Sequence, residues 1–440
     1  MKRLLRGARV VDPANGIDGQ LDVLIDGERI GQVGRDLPVA LADGGEVLDL
    51  SPSFVVCPGF IDMHVHLREP GQEHKETVAT GVLSAVTGGF TAVACMPNTR
   101  PVNDNAGVTQ LILQKAREAN LARVYPIGAV SRGQKGEELA DIAELCEAGC
   151  VAVTDDGLPI ATAMLARRAL EYTSMFGIPV IEHCEDQSLK GDGVAHEGPV
   201  AAALGLRGIP GAAEAITAGR DILLAEMTGG RLHIAHMSAW TTLEAVRQGK
   251  SRGVAVTAEV CPHHFTLTDE LLAAPVPYDT NAKMNPPLRQ ARDRDAMLSG
   301  IVDGSVDVIA TDHAPHHYDE KNVEFDRAPF GIVGLETAIC IALDRLVRPG
   351  LIRLSRLVEL MSVNPARILG VPGGSLAAGM PADITVLAPD LSVTIDRARL
   401  RSKSKNTPYH GWTFTGGVAG TVVGGRLVFA SGTAGWPGRR

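Results

Sequence analysis

The chain has 440 residues, of which 45% are hydrophobic and 21% charged, the balance of a globular protein with a large buried core. Its formal net charge of −9 argues against a general nucleic-acid surface and leaves room for a local basic pocket that holds an anion. No apolar stretch reaches membrane-spanning length, and Met1-Lys-Arg-Leu-Leu-Arg carries charge too early for a signal peptide, so a cytoplasmic chain with no membrane partner is expected.

In chain order, the first 56 residues read as short strands and turns. Arg9–Asp12, Asp22–Gly27 and Ile30–Gly34 are β-type runs broken by Asp and Gly. The far end looks alike, with Ala382–Leu387 and Val422–Phe429. The two ends are expected to pair, so that residues 1–56 and 371–440 form one small β-sandwich domain around a middle of 57–370.

That middle alternates apolar runs with helical patterns. The runs are Phe60–His66, Thr91–Met96, Val124–Val130, Val151–Asp155, Pro179–His183, Leu232–His236, Val254–Val260 and Val306–Ala310. Helical periodicity falls at Leu111–Ala119, Glu138–Ala148, Met164–Phe176, Ala212–Thr228 and Leu357–Leu369. Continuous apolar runs are the mark of buried parallel strands. Eight of them joined by helices favour an α/β fold of the (β/α)8 TIM-barrel type. An open doubly wound sheet is the alternative, but no Gly-x-Gly-x-x-Gly opens a helix after the first strand. The seven cysteines are scattered and odd in number, which fits reduced thiols. Cys146 and Cys150 have helical i, i+4 spacing, and their surroundings favour packing over metal ligation.

Polar residues gather where the apolar runs end. His64 and His66 close the first, Asn98 follows the second, and Asp155-Asp156-Gly157 closes the fourth. His183, His236 and Asp312 close the fifth, sixth and eighth. In a (β/α)8 barrel the C-terminal strand ends share one face, and active sites form there. Four imidazoles and two carboxylates are borderline N/O donors suited to zinc. One Asp can bridge two ions, and a pair of ions can share and acidify a water. Asp312 beside that water can take its proton and pass it to a leaving nitrogen, which describes hydrolysis of an amide-like bond. Arg68 adds a fixed cation next to the histidines.

Each piece has a plainer reading. Asp155-Asp156-Gly157 alone is most often a turn. His183, His233 and His236 could each be core histidines, and His313 could fix a tautomer. On a continuing strand at most one of His263 and His264 would face the site. His74, His196 and His410 fall in loop contexts without a role.

The ordered series His64-Val-His66-Leu-Arg68-Glu-Pro-Gly, Met96-Pro-Asn98-Thr, Thr154-Asp-Asp156-Gly, Glu182-His183-Cys-Glu, His233-Ile-Ala-His236, Asn285-Pro-Pro-Leu-Arg and Ala310-Thr-Asp312-His-Ala-Pro-His316 resembles the bacterial class I dihydroorotases of the amidohydrolase superfamily. The resemblance spans nearly the whole chain. It implies reversible cyclisation of N-carbamoyl-L-aspartate to (S)-dihydroorotate and water, a step of de novo pyrimidine synthesis.

It further implies two Zn2+ per chain. His64, His66 and Asp312 would hold the more buried ion and His183 and His236 the second. Asp156 and a hydroxide would bridge them, where many relatives use a carboxylated lysine. The shorter reach of Asp leaves the second site open to partial occupancy. Arg68, Asn98 and His316 would bind the substrate α-carboxylate, with His66 also at the substrate. Asn285 and the backbone near Phe330 and Gly331 would contact the ring, and Asp312 would be the catalytic proton carrier. A homodimer and association with aspartate carbamoyltransferase are implied in the same way. Hydantoinases, dihydropyrimidinases and allantoinases are the enzymatic rivals, and a scaffold that has lost catalysis is the non-enzymatic one. The polar segment from His317 to Phe330 is expected to be a loop able to close over substrate.

Overall fold

Strand Val55–Pro58 runs almost directly into strand Phe60–Val65, and the two belong to different parts of the molecule. The first lies in a six-stranded sheet of the β-rich part, and the second opens the barrel. The short connection therefore sets where His64 and His66 sit relative to the β-rich part. The structure is a computed structural model describing residues 2–38 and 45–436.

The β-rich part has two sheets. One pairs Arg29–Gly34, Asp22–Asp26, Lys2–Arg6 and Glu46–Asp49 in that order. The other runs Arg426–Ala430, Thr413–Val423, Ile384–Thr394, Val55–Pro58, Arg9–Asp12 and Ile17–Gln20. The two chain ends join where Ile384–Leu387 pairs antiparallel with Val55–Pro58. Leu5, Val10, Ile25, Val56, Ile384 and Val386 pack into one apolar core there.

Each of the eight apolar runs overlaps a parallel strand. The strands are Phe60–Val65, Phe90–Cys95, Arg123–Pro126 continuing to Gly128–Ala129, Val153–Thr154, Val180–Glu182, Leu232–Ile234, Val256–Val260 and Val308–Ile309. The ring closes where Val65 bridges His313 in parallel and His66 N–H donates to His313 O at 2.9 Å. Asp62 reinforces the seam by accepting from Thr311 N–H at 3.1 Å and Thr311 Oγ1–H at 2.5 Å. Met63, Ala94, Ile127, Ala152, Ile181, Ala235 and Val308, one from each apolar run but the seventh, form a single buried cluster. Only the barrel interior can bring all these strands together. The seventh strand places Glu259 inside instead.

Helix boundaries follow the caps more closely than the apolar periodicity. The second helix runs from Ala106 to Ala119 because the Asn105 side chain accepts from Val108 N–H. The third is shorter than its pattern, Ile142–Ala148, because Asp141 caps it and Leu139 is drawn into a bridge with Ser131. It ends at Gly149 in a left-handed conformation, so Cys150 lies beyond it. Cys150 packs against Asn103 and Thr109, and all seven cysteines are free thiols. The last barrel helix contains a wide π turn, Glu359–Val363, just before Asn364-Pro365, where the proline has no N–H to continue the regular ladder. Among the described residues no helix is long and apolar enough to cross a membrane.

Candidate active site

Asp156 is the hub of the C-terminal face of the barrel. Its Oδ1 lies 3.4 Å from His64 Nε2, 3.4 Å from His183 Nδ1 and 3.3 Å from His236 Nε2. Its Oδ2 lies 3.4 Å from His66 Nε2. Asp312 Oδ1 sits 3.1 Å from His66 Nε2 and 3.5 Å from His64 Nε2. These are the separations of atoms that share a cation: tetrahedral bonds of about 2.0–2.1 Å put donors roughly 3.3–3.5 Å apart. His64 Nε2 is buried and has no hydrogen-bond partner, as a lone pair reserved for a metal requires. The histidine pairs His64–His66 and His64–His236 each form a three-donor cluster, with Asp312 and Asp156 respectively.

The electrostatics agree. Burial disfavours a charged imidazole at His64, yet Asp156, Asp312 and Glu259 outweigh it and push its pKa well above 6.5. Burial also raises the Asp156 and Asp312 carboxyls, but the facing imidazoles override it and hold both well below the usual carboxylate range. This concentration of negative charge suits a divalent cation. The donor set thus fits metal ions by spacing, by the orphaned lone pair and by charge.

A further layer orients the donors. His64 Nδ1–H donates to Glu259 Oε1 at 2.6 Å. Glu259 also accepts from the backbone N–H of His236 and pairs with His233 Nε2, both at 3.2 Å. Sequence reasoning missed Glu259, although a carboxylate inside an otherwise apolar strand is itself a signal. His66 Nδ1–H donates to Asn98 Oδ1 at 2.8 Å, so Asn98 positions a histidine in addition to lining the cavity. His183 Nε2 faces Asn285 Nδ2 at 3.3 Å and Glu185 Oε2 at 3.7 Å.

Above the donors opens a cavity of about 300 Å³. Its wall includes His66, Arg68, Asn98, Asn285, His316 and Phe330, together with Lys190, which the sequence reading did not single out. Arg68 is only 7% exposed; its Nε–H donates to Pro315 O at 3.2 Å and its Nη2–H to His316 Nε2 at 3.3 Å. Burial, Arg68 and Lys75 together push the His316 imidazole down to about 3, although Glu320 pulls the other way. A neutral His316 is what accepting from a guanidinium requires. Arg68, His236 and Asp312 all stand at positive φ, 63°, 30° and 45°, the strained region that recurs where side chains are aimed into functional sites.

Gly331 is placed differently from the rest. It is not part of the cavity wall; its N–H donates to Lys283 O at 2.9 Å and its C=O accepts from Asn406 Nδ2–H at 3.0 Å. Its φ of 154° and an Ala314 carbonyl that a Cβ would meet at 2.5 Å explain the glycine. His313 turns away, with Nε2 3.5 Å from Glu76 and Nδ1 accepting from Gly334 N–H. Asp155 ties to Ser131 N–H and Oγ–H at 3.0 and 2.5 Å. Strand alternation does not govern His263 and His264, because the strand ends at Val260 and Pro262–Thr266 is helical; both side chains are buried. The segment after His316 is anchored: buried Lys321 donates to the carbonyls of Thr280, Lys283 and Pro329 at 2.9, 3.3 and 2.8 Å.

A (β/α)8 barrel that converges these donors at its strand ends is suited to metal-dependent hydrolysis. The family model described as "Amidohydrolase family" matches residues 207–429, and one described as "Dihydro-orotase-like" matches 53–241. The chain is 51% identical to a dihydroorotase of Syntrophotalea carbinolica, covering 98% of this chain and 99% of that one. It is 53% identical to a dihydroorotase of Pelotomaculum thermopropionicum, covering 97% and 98%. The chain belongs to the dihydroorotase family. In fold it is similar to an L-hydantoinase (dihydropyrimidinase) from Arthrobacter aurescens, with a TM-score of 0.86 at 23% identity over 98% of this chain and 96% of that one.

Proposed function

We propose that this chain catalyses the reversible cyclisation of N-carbamoyl-L-aspartate to (S)-dihydroorotate and water, the dihydroorotase step of de novo pyrimidine biosynthesis. The observation that carries the reading is one cavity in which a buried arginine, Arg68, shares the wall with the Asp156-centred donors. Family membership supports it.

In this reading His64, His66 and Asp312 would hold one Zn2+, His183 and His236 would hold a second, and Asp156 would serve as a shared ligand. Bound there, the ions supply Lewis acidity toward the scissile carbonyl and acidify the attacking water. Arg68, Asn98 and His316 grip the α-carboxylate. The planar guanidinium of Arg68 suits that task, and its bonds to Pro315 and His316 keep it from turning away. Asn285 and Phe330 flank the ring. In ring opening, Asp312 takes a proton from the water that adds to the ring carbonyl next to C5, and delivers it to the departing ring nitrogen. In ring closure it removes a proton from the carbamoyl nitrogen and returns it to the oxygen that leaves as water.

The free thiols fit a cytoplasmic location. Helix Gly211–Thr228 exposes Ile216, Leu223 and Met227, a stripe suited to a homodimer contact. Association with aspartate carbamoyltransferase belongs to the same reading. A turnover panel of dihydroorotate, hydantoin, dihydrouracil and allantoin tests the substrate. Dihydroorotate is expected to be turned over with the others near background; a preference for any other member overturns the assignment.

A further inference from the structure

A second group of metal-type donors follows the C-terminal end of the seventh barrel strand. Cys261 follows strand Val256–Val260, and the chain turns at once into the short helix Pro262–Thr266, which carries His263 and His264. All three side chains are fully enclosed, at 0%, 2% and 3% exposure. One ligand atom from each lies within 4.8 Å of the other two, and the two imidazole centroids are 4.3 Å apart.

Their hydrogen bonding is incomplete. His264 Nε2–H donates to Pro286 O at 2.9 Å, which leaves Nδ1 as an unprotonated lone pair with no partner. His263 Nε2 is buried and also without a partner. Orphaned ring nitrogens in an enclosed space are costly and call for an explanation. None of the three residues belongs to the Asp156-centred donor set.

We propose that Cys261, His263 and His264 form a third cation site, whose two imidazole nitrogens and one thiolate sulfur take a borderline divalent ion such as Zn2+ or Co2+. Thiolate with imidazole is the donor mixture such ions prefer over Mg2+ or Ca2+. Bonds of about 2.3 Å to sulfur and about 2.0 Å to nitrogen space tetrahedral donors by roughly 3.5 Å, and the three donor atoms already lie within 4.8 Å of one another. The Cys261 thiol proton is released to solvent as the metal–sulfur bond forms. The site does not rest on the dihydroorotase reading.

Cobalt separates this site from the catalytic one, whose proposed donors are nitrogen and oxygen only. Chelator-stripped full-length protein is titrated with Co2+ while near-ultraviolet absorbance and bound cobalt are followed. A thiolate-to-cobalt charge-transfer band is expected, with one cobalt per chain more than in the Cys261→Ser variant, which loses the band. His263→Asn, chosen in case the serine variant fails to fold, is expected to lose it too. Absence of the band, its persistence in Cys261→Ser, or equal cobalt content in the two proteins overturns the proposal and leaves the histidines bonded to trapped water.

Discussion

His64 and Glu259 meet at 2.6 Å through Nδ1 and Oε1, both side chains sealed from solvent. In the neutral imidazole the contact fixes the tautomer, leaving Nε2, which faces Asp156 and Asp312, to bind a metal. Outer carboxylates of this kind raise the basicity of a metal-binding imidazole. Glu259→Gln is expected to weaken zinc binding by about 10- to 100-fold while leaving most of the turnover at saturating zinc. Competition against a chromophoric chelator measures this, and unchanged affinity contradicts the role.

Arg68 offers a second test. If it grips the α-carboxylate in a planar two-point contact, Arg68→Lys keeps the charge and loses one charge-assisted hydrogen bond. Such bonds are worth about 1.5–3 kcal/mol, so KM for dihydroorotate should rise by about 10- to 100-fold. Steady-state kinetics with an unchanged KM would remove Arg68 from the substrate contact.

The sequence made most of this site legible because a barrel strand announces its end. An apolar run gives way to a polar residue at the point where the chain reaches the catalytic face, as at His66, Asp156, His183 and Asp312. Glu259 escaped that reading because it lies within the run, and its partners His64 and His233 come from other strands. The orientation of His313 was equally hidden, since only the packed loop supplies Glu76 and Gly334. His263 and His264 were misread because a strand was carried past Val260, although Pro262 is well placed to start a helix. The β-rich part was legible in its runs, whereas the pairing of Ile384–Leu387 with Val55–Pro58 depends on contacts more than 300 residues apart.

His316 gives the pH dependence. Its pKa falls from 6.5 in the unfolded chain to about 3 in the folded one, through burial and then the neighbouring cations. Between those values the unfolded chain binds the extra proton and the folded protein does not, so acid favours unfolding. The stability this neutral histidine contributes is complete above 6.5 and is lost as the pH falls toward 3. His316→Gln should remove acid sensitivity on the order of 2 kcal/mol between about pH 7 and about pH 5. Parallel urea curves for wild type and variant at both pH values would count against it.

Lys321 pins the segment that brings Phe330 to the cavity. Lys321→Met leaves three carbonyls without their donor and is expected to cost about 1–3 kcal/mol. Cleavage between residues 317 and 330 by limited proteolysis should accelerate, and KM should rise. A cleavage rate equal to wild type contradicts the anchoring.

Asp312 and the proposed pair of metal ions form the core of the account, and zinc titration of the stripped protein tests them most directly. Elemental analysis and dihydroorotate turnover are measured on the same samples, for wild type and Asp312→Asn. The expected result is wild-type turnover that is absent without metal and climbs until at least two zinc ions per chain are bound, while Asp312→Asn stays nearly inactive in both directions. Full wild-type turnover at a firm plateau of one zinc, or substantial activity in Asp312→Asn, would contradict it.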